Sequence, residues 1–238
     1  MHASGEHSSV GMSECSYDFL VKVIVIGESG TGKSCLAHHF AQGRPRTQAT
    51  QTIGLELLSR LVSVGDQRVK LQIWDTAGQE RFRYYRGAAV VVLVYDLTRY
   101  ATFAELAKWL DDVRALASPQ VVTVLVGNQL DREADEREVA TLDAGRWAAQ
   151  QGVLFTETSS ITGENVDAPF VLAARSVLLG LSAGTIDPER PDSGIAYGER
   201  FLWRNSTGSH FSFADTSGAD AAHDLVPLGP RGAPSRCC

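Results

Sequence analysis

Short apolar runs bounded by Gly, Asp and Asn alternate along this chain with segments of helical period. Phe19 to Ile26 is apolar at nearly every position and reads as a buried strand. Leu55 to Val64 and Val69 to Trp74 read as two more strands, joined by the hairpin turn Gly65-Asp66-Gln67-Arg68. Val121 to Gly127 and the short run Val153 to Phe155 complete the strands that can be bounded. Helices are expected near Lys33 to Gln42, Thr102 to Leu116, Ala140 to Gln150 and Val166 to Leu181. Pro169 falls in the first turn of the last helix, where its missing N–H costs little. Strand-like and helix-like segments alternate from Asp18 to Leu181. This predicts an α/β domain: a mostly parallel sheet with one antiparallel edge strand and helices on both faces. No internal repeat is visible.

Composition bounds what such a domain can be. The 238 residues suit one domain with tails, and 44% hydrophobic content is enough for a full core. Residues 1–16 read as a disordered leader, without the basic start and apolar centre of a secretory signal. The domain is expected over 17–182. From 183 to 238 Gly, Pro, Ser and Ala dominate, which reads as a flexible tail. Phe201, Leu202, Trp203, Phe211 and Phe213 interrupt it and are read as inert rather than as a partner-binding stripe. The formal net charge of −6 offers no basic footprint for nucleic acid. No apolar run approaches the roughly 20 residues that span a bilayer. The cysteines Cys15, Cys35, Cys237 and Cys238 have neither metal-site nor disulfide spacing, so the chain reads as cytosolic.

The chemistry lies at strand ends. Gly27 to Ser34, GESGTGKS, fits the phosphate-loop pattern GxxxxGK[ST] between an expected strand and an expected helix. Backbone N–H groups of Ser29, Gly30, Thr31, Gly32 and Cys35 can close on phosphate oxygens there. Lys33 supplies charge to the outer phosphates and the Ser34 hydroxyl a ligand for Mg²⁺. Three further motifs follow: Trp74 to Glu80 (WDTAGQE), Asn128-Gln129-Leu130-Asp131, and Glu157-Thr158-Ser159-Ser160. All end strands, the edge at which open α/β sheets bind ligands. The Asp131 carboxylate can accept hydrogen bonds from the N1–H and 2-amino group of guanine, both absent from adenine. The Ser159-Ser160 turn can offer N–H to the guanine oxygen.

Four motifs in this order resemble the Ras superfamily of small GTPases. The run WDTAGQERFR followed by YYRGAA is similar to its Rab branch. Asp187-Pro188-Glu189-Arg190, Ser193-Gly194-Ile195 and Tyr197-Gly198 resemble the endosomal-recycling Rabs. The resemblance implies a six-stranded G domain that holds GTP or GDP with Mg²⁺. In it Asp75 is a metal anchor beside Ser34, and Thr52 is the switch threonine that ligates Mg²⁺ and meets the γ-phosphate. Gly78 brings its N–H to the γ-phosphate, and Gln79 orients the attacking water. Asn128, Gln129, Asp131, Ser159, Ser160 and Ile161 surround the base. The resemblance further implies geranylgeranyl groups on Cys237 and Cys238. It places the protein on the cytoplasmic face of endosomal or vesicle membranes, with a cytosolic pool. The implied partners are an exchange factor, a GTPase-activating protein, Rab effectors, a prenylation escort and a GDP-dissociation inhibitor.

Several positions depart from the Rab pattern. Arg83 runs directly into Tyr84-Tyr85-Arg86, where Rabs have roughly five more residues of the second switch. Pro45 stands where they carry a phenylalanine against guanine, Gln129 where they carry a lysine, and Leu57 where they place an effector-binding aromatic. Two readings follow: a membrane-anchored switch that recruits trafficking effectors, or a degenerate Rab-like interaction protein that binds nucleotide and cycles poorly.

Overall fold

The computed structural model describes residues 16–46, 54–76, 84–132 and 136–206. Residues 1–15 of the expected leader, Thr52, Gly78, Gln79, Phe211, Phe213, Cys237 and Cys238 lie outside the described residues.

Strand β1, Phe19–Ile26, sits at the centre of the sheet. It is flanked by β3, Gln67–Thr76, and β4, Val90–Asp96. Outward from β4 come β5, Val122–Asn128, and β6, Leu154–Thr158, all parallel. The far edge is β2, Leu55–Val64, antiparallel to β3 from Leu55↔Thr76 to Val64↔Gln67. The order β2-β3-β1-β4-β5-β6 gives the expected six strands with one antiparallel edge. Gly65 has φ 56° at the first position of the two-residue β2–β3 turn, as a II′ hairpin turn favours.

Six helices cover the sheet among the described residues. On one face α1, Lys33–Gln42, and α5, Ala168–Ser182, bury Leu36, Phe40, Phe170, Ala174 and Val177 against alternate residues of β1, β3 and β4. The Phe40 and Phe170 rings stack at 3.9 Å between the two helices. On the other face lie α2, Tyr100–Ala104, α3, Leu106–Leu116, and α4, Thr141–Gln151. Leu106, Trp109, Leu110 and Val113 of α3 recur at helical spacing and pack on Ile24, Val91 and Leu93. The single helix expected over 102–116 is therefore two. The break falls at Glu105 (ψ −6°); three residues before it the Thr102 hydroxyl accepts from the Asp96 N–H at the end of β4 and donates to the Arg99 carbonyl. The apolar period runs through the break, so the sequence pattern carries no sign of it.

The tail differs from expectation. Ordered structure continues past 182, through a short strand β7, Ile195–Tyr197, and a helix α6, Glu199–Ser206. β7 pairs antiparallel with Phe19–Val21, on the side of β1 that β4 reaches only from Val23 onward. It supplies a second antiparallel pairing and a seventh strand. Phe201 of α6 packs on Phe19 at 5.0 Å and on Tyr197 at 4.4 Å. Arg200 and Arg204 reach the buried Asp18 carboxylate at 3.7 and 4.0 Å. Gly198 is required at the bend, since a Cβ there would lie 2.1 Å from the Tyr17 carbonyl. The composition that reads as flexible includes the glycines this docking needs.

Candidate functional site

The carboxyl ends of β1, β3, β5 and β6 bring the sequence motifs to one edge. The loop after β1 uses three left-handed glycines, at Gly27, Gly30 and Gly32. At Gly27 a Cβ would meet the Val94 carbonyl at 2.1 Å, and at Gly32 it would meet the Asn128 amide at 2.2 Å. The loop must therefore be glycine both for its turn and for its contact with neighbouring strands. α1 starts at Lys33, and no side chain caps its first turn. That leaves the helix N-terminus suited to an anion. Lys33 lies along the loop with Nζ donating to the Glu28 carbonyl at 2.6 Å.

Asn128, at the end of β5, is fully buried and fastens the loop to the far side of the site. Its Nδ2 donates to the Thr31 carbonyl at 2.8 Å and to the Ser160 hydroxyl at 3.2 Å. Its Oδ1 accepts from the Thr158 hydroxyl and from the Ser160 N–H, each at 3.1 Å. All the bonding capacity of the amide is spent inside the protein, so its role is to hold two loops together. The Ser159 hydroxyl donates to Asp131 Oδ1 at 2.6 Å and accepts from the Thr162 N–H at 3.0 Å. This aims an exposed carboxylate from the short 3₁₀ turn Leu130–Arg132. Ile161 is exposed beside it. His39 of α1 contacts the Ser160 carbonyl through Nδ1 at 2.8 Å, which ties the same turn to the first helix.

Gln129 has a left-handed backbone, φ 73°, and its amide is engaged below the site. Nε2 donates to Asp96 Oδ2 at 2.7 Å and to the Gly30 carbonyl at 3.4 Å. Asp96 and Arg99 are part of the site's support, and the sequence reading missed them. The available signal was Asp96 ending a fully buried strand at the ligand edge.

Asp75, near the end of β3, is fully buried, and neither carboxylate oxygen has a well-formed hydrogen bond. Burial pushes its carboxyl above the usual range, while the Ser34 hydroxyl and then the Lys33 ammonium pull it back. A carboxylate so placed beside a hydroxyl fits a hard cation with oxygen ligands, and Ser34 and Asp75 are the described residues that would hold Mg²⁺. Cys35 is half-buried, and burial raises its thiol. Pro45 is exposed. Trp74 and Tyr84 lie 6.0 Å apart at the end of β3, and Leu57 is exposed on β2 opposite Trp74.

Comparison with known proteins matches residues 22–179 to the Ras family. The human Ras-related protein Rab-4B is 52% identical over 192 residues, 79% of this chain and 90% of that protein. Human Ras-related protein Rab-4A is 51% identical over 200 residues, 82% of this chain and 91% of its own length. Rab-4A of Danio rerio is 52% identical over 196 residues, covering 80% and 91%.

Proposed function

The chain belongs to the Ras family of small GTPases, in its Rab branch, and from that we propose a GTP-hydrolysing switch that controls endosomal membrane traffic. The observation that carries the nucleotide reading is the Asn128 clamp, which ties the phosphate loop at Thr31 to the base-side turn at Ser160. It sets a phosphate cradle and the Asp131 carboxylate at a fixed separation, the arrangement a guanine nucleotide needs. In this reading Ser29 to Cys35 hold the phosphates. Asp131, Ser159, Ser160 and Ile161 meet the base. Ser34, Thr52 and Asp75 hold Mg²⁺, and Gly78 and Gln79 serve the γ-phosphate and the attacking water. Loss of that phosphate releases the switch segments, which is how such a protein changes partners.

The reading includes exchange factors, activating proteins, effectors, a prenylation escort and a dissociation inhibitor as partner classes. It also includes lipid attachment through Cys237 and Cys238 on the cytoplasmic face of endosomal membranes. Among the described residues no helix is long and apolar enough to cross a membrane. The test is direct. Purified protein should bind GDP and GTP with Mg²⁺, reject ATP and hydrolyse GTP slowly, and Gln79→Leu should slow hydrolysis while leaving binding unchanged. ATP competing as well as GTP would refute the base assignment.

A second reading is a nucleotide-bound interaction protein that cycles poorly. It is favoured by the direct step from Arg83 to Tyr84 and by the Gln129 amide, which is engaged with Asp96 rather than spread over a base. Equal, negligible turnover in wild type and Gln79→Leu, with tight GTP binding in both, would select it.

A further inference from the structure

Asp96 and Arg99 belong to none of the motifs above, yet Arg99 bonds the phosphate loop at the Ser29 carbonyl and Asp96 holds Arg99 and Gln129 against it. We propose that they are positioning residues for phosphate binding: they orient the Ser29–Gly30 and Gly30–Thr31 peptides so that the N–H groups face the nucleotide. The proposal rests on the nucleotide reading and names what sets its phosphate affinity.

In a planar trans peptide the C=O and the following N–H point in opposite directions. A donor that pins a carbonyl on one side of a loop therefore aims the next N–H to the other side. Four successive carbonyls are pinned in this way. Glu28 O accepts from the Thr31 hydroxyl at 3.0 Å, as well as from Lys33 Nζ. Ser29 O accepts from Arg99 Nη2 at 3.0 Å, Gly30 O from Gln129 Nε2 at 3.4 Å, and Thr31 O from Asn128 Nδ2 at 2.8 Å. In the proposal the pins on Ser29, Gly30 and Thr31 turn the following N–H groups, those of Gly30, Thr31 and Gly32, away from their donors and toward the nucleotide, as an anion nest requires.

Two of the four pins depend on Asp96. Its Oδ2 accepts from Arg99 Nε at 2.9 Å and from Gln129 Nε2 at 2.7 Å. Its Oδ1 accepts from the N–H and hydroxyl of Thr98, at 2.8 and 2.7 Å. The carboxylate is 2% exposed and saturated with donors, so its orientation is fixed. Arg99 is half-exposed, and as a plain surface ion pair it would matter little. Its geometry differs from that case. One edge of the guanidinium is held by the buried carboxylate and the other meets the loop carbonyl. It lies so close that a Cβ at Gly30 would sit 3.3 Å from Nη2. The guanidinium meets the loop at the Ser29 carbonyl, and it is through that peptide that it would orient the next N–H.

The test uses Arg99→Met and Arg99→Lys in the full chain, with GDP and GMP as probes in excess Mg²⁺, read by equilibrium displacement of a fluorescent GDP. The loop serves the outer phosphate, so Arg99→Met should lower the ratio Kd(GMP)/Kd(GDP) about tenfold, and Arg99→Lys should recover part of it. The preference for GTP over ATP should stay unchanged, because Asp131 and the base-side turn are untouched. Equal weakening of GMP and GDP would reduce Arg99 to a general structural contact and overturn the proposal, as would an unchanged ratio. A wild type that binds neither nucleotide would instead overturn the nucleotide reading, and this proposal with it.

Discussion

Removing the Phe201 ring should undock the segment 195–206 from the domain. Phe201 is partly buried between Phe19, at 5.0 Å and 50°, and Tyr197, stacked at 4.4 Å and 16°. Each aromatic pair contributes about 0.5–1.5 kcal/mol beyond burial. Full burial of a Phe contributes about 1.5–3 kcal/mol, of which a half-buried ring keeps roughly half. Phe201→Ala should therefore weaken docking by about 2–4.5 kcal/mol. The segment can open while the sheet stays folded, so the direct readout is amide exchange. The amides to follow are Lys22, bonded to the Gly194 carbonyl at 2.8 Å, and Gly198, bonded to the Asp18 carbonyl at 2.8 Å. Each 1.4 kcal/mol is a factor of ten, so exchange at both should quicken roughly 30- to 1,000-fold. Gly198→Ala, which places a Cβ 2.1 Å from the Tyr17 carbonyl, should act in the same direction. Leu202→Ser, at a side chain 58% exposed, should change exchange little. Exchange at Lys22 and Gly198 unaltered by both Phe201→Ala and Gly198→Ala would mean that aromatic packing does not hold this segment.

Asp131→Asn should shift preference from guanine towards xanthine nucleotides, which replace the 2-amino donor with an acceptor; competition of XTP against GTP reads this out, and an unchanged order would remove Asp131 from the base. Asp75→Ala should make GDP affinity the same in Mg²⁺ and in EDTA, and because it also removes a buried carboxylate whose oxygens make no well-formed hydrogen bond, the nucleotide-free protein should lose little stability in a melting scan. Pro45→Phe with Gln129→Lys should slow GDP release up to roughly tenfold, the worth of one aromatic contact; an unaltered off-rate would show that neither position covers the base.

Much of this was legible in the chain. β1, β2 and α1 fall at the residues their apolar runs delimit, because each run is bounded by glycine or a polar turn. β6 extends to Thr158, past the apolar residues, because Thr158 and Ser160 are drawn to Asn128 by hydrogen bonds that leave no hydrophobic trace. The nucleotide motifs were legible because residue types carry their chemistry: a lysine after glycines, a carboxylate three residues after an asparagine. Asp96 and Arg99 were not, since what they hold is backbone carbonyl, and any sequence presents a carbonyl at every position. The folded tail was missed because a three-residue strand has no period to read.

That missed segment changes how the two ends of the molecule relate. Ser193-Gly194-Ile195 and Tyr197-Gly198, the residues that resemble recycling Rabs, are the ones that build the dock on β1: Ser193 bonds the Ile195 N–H at 3.2 Å, and Gly194 and Gly198 allow backbone to approach at either end of β7. The dock lies at Phe19–Val21, whereas the phosphate loop leaves β1 after Ile26. A strand of this length spans roughly 25 Å at about 3.3 Å per residue. Helix α6 thus sits at the pole opposite the nucleotide edge, where Arg200 and Arg204 meet the Asp66 carbonyl beside the start of β3. Release of the dock by Phe201→Ala should therefore leave nucleotide affinity unchanged, and a GDP displacement titration that showed weakened binding would refute this separation of the two ends.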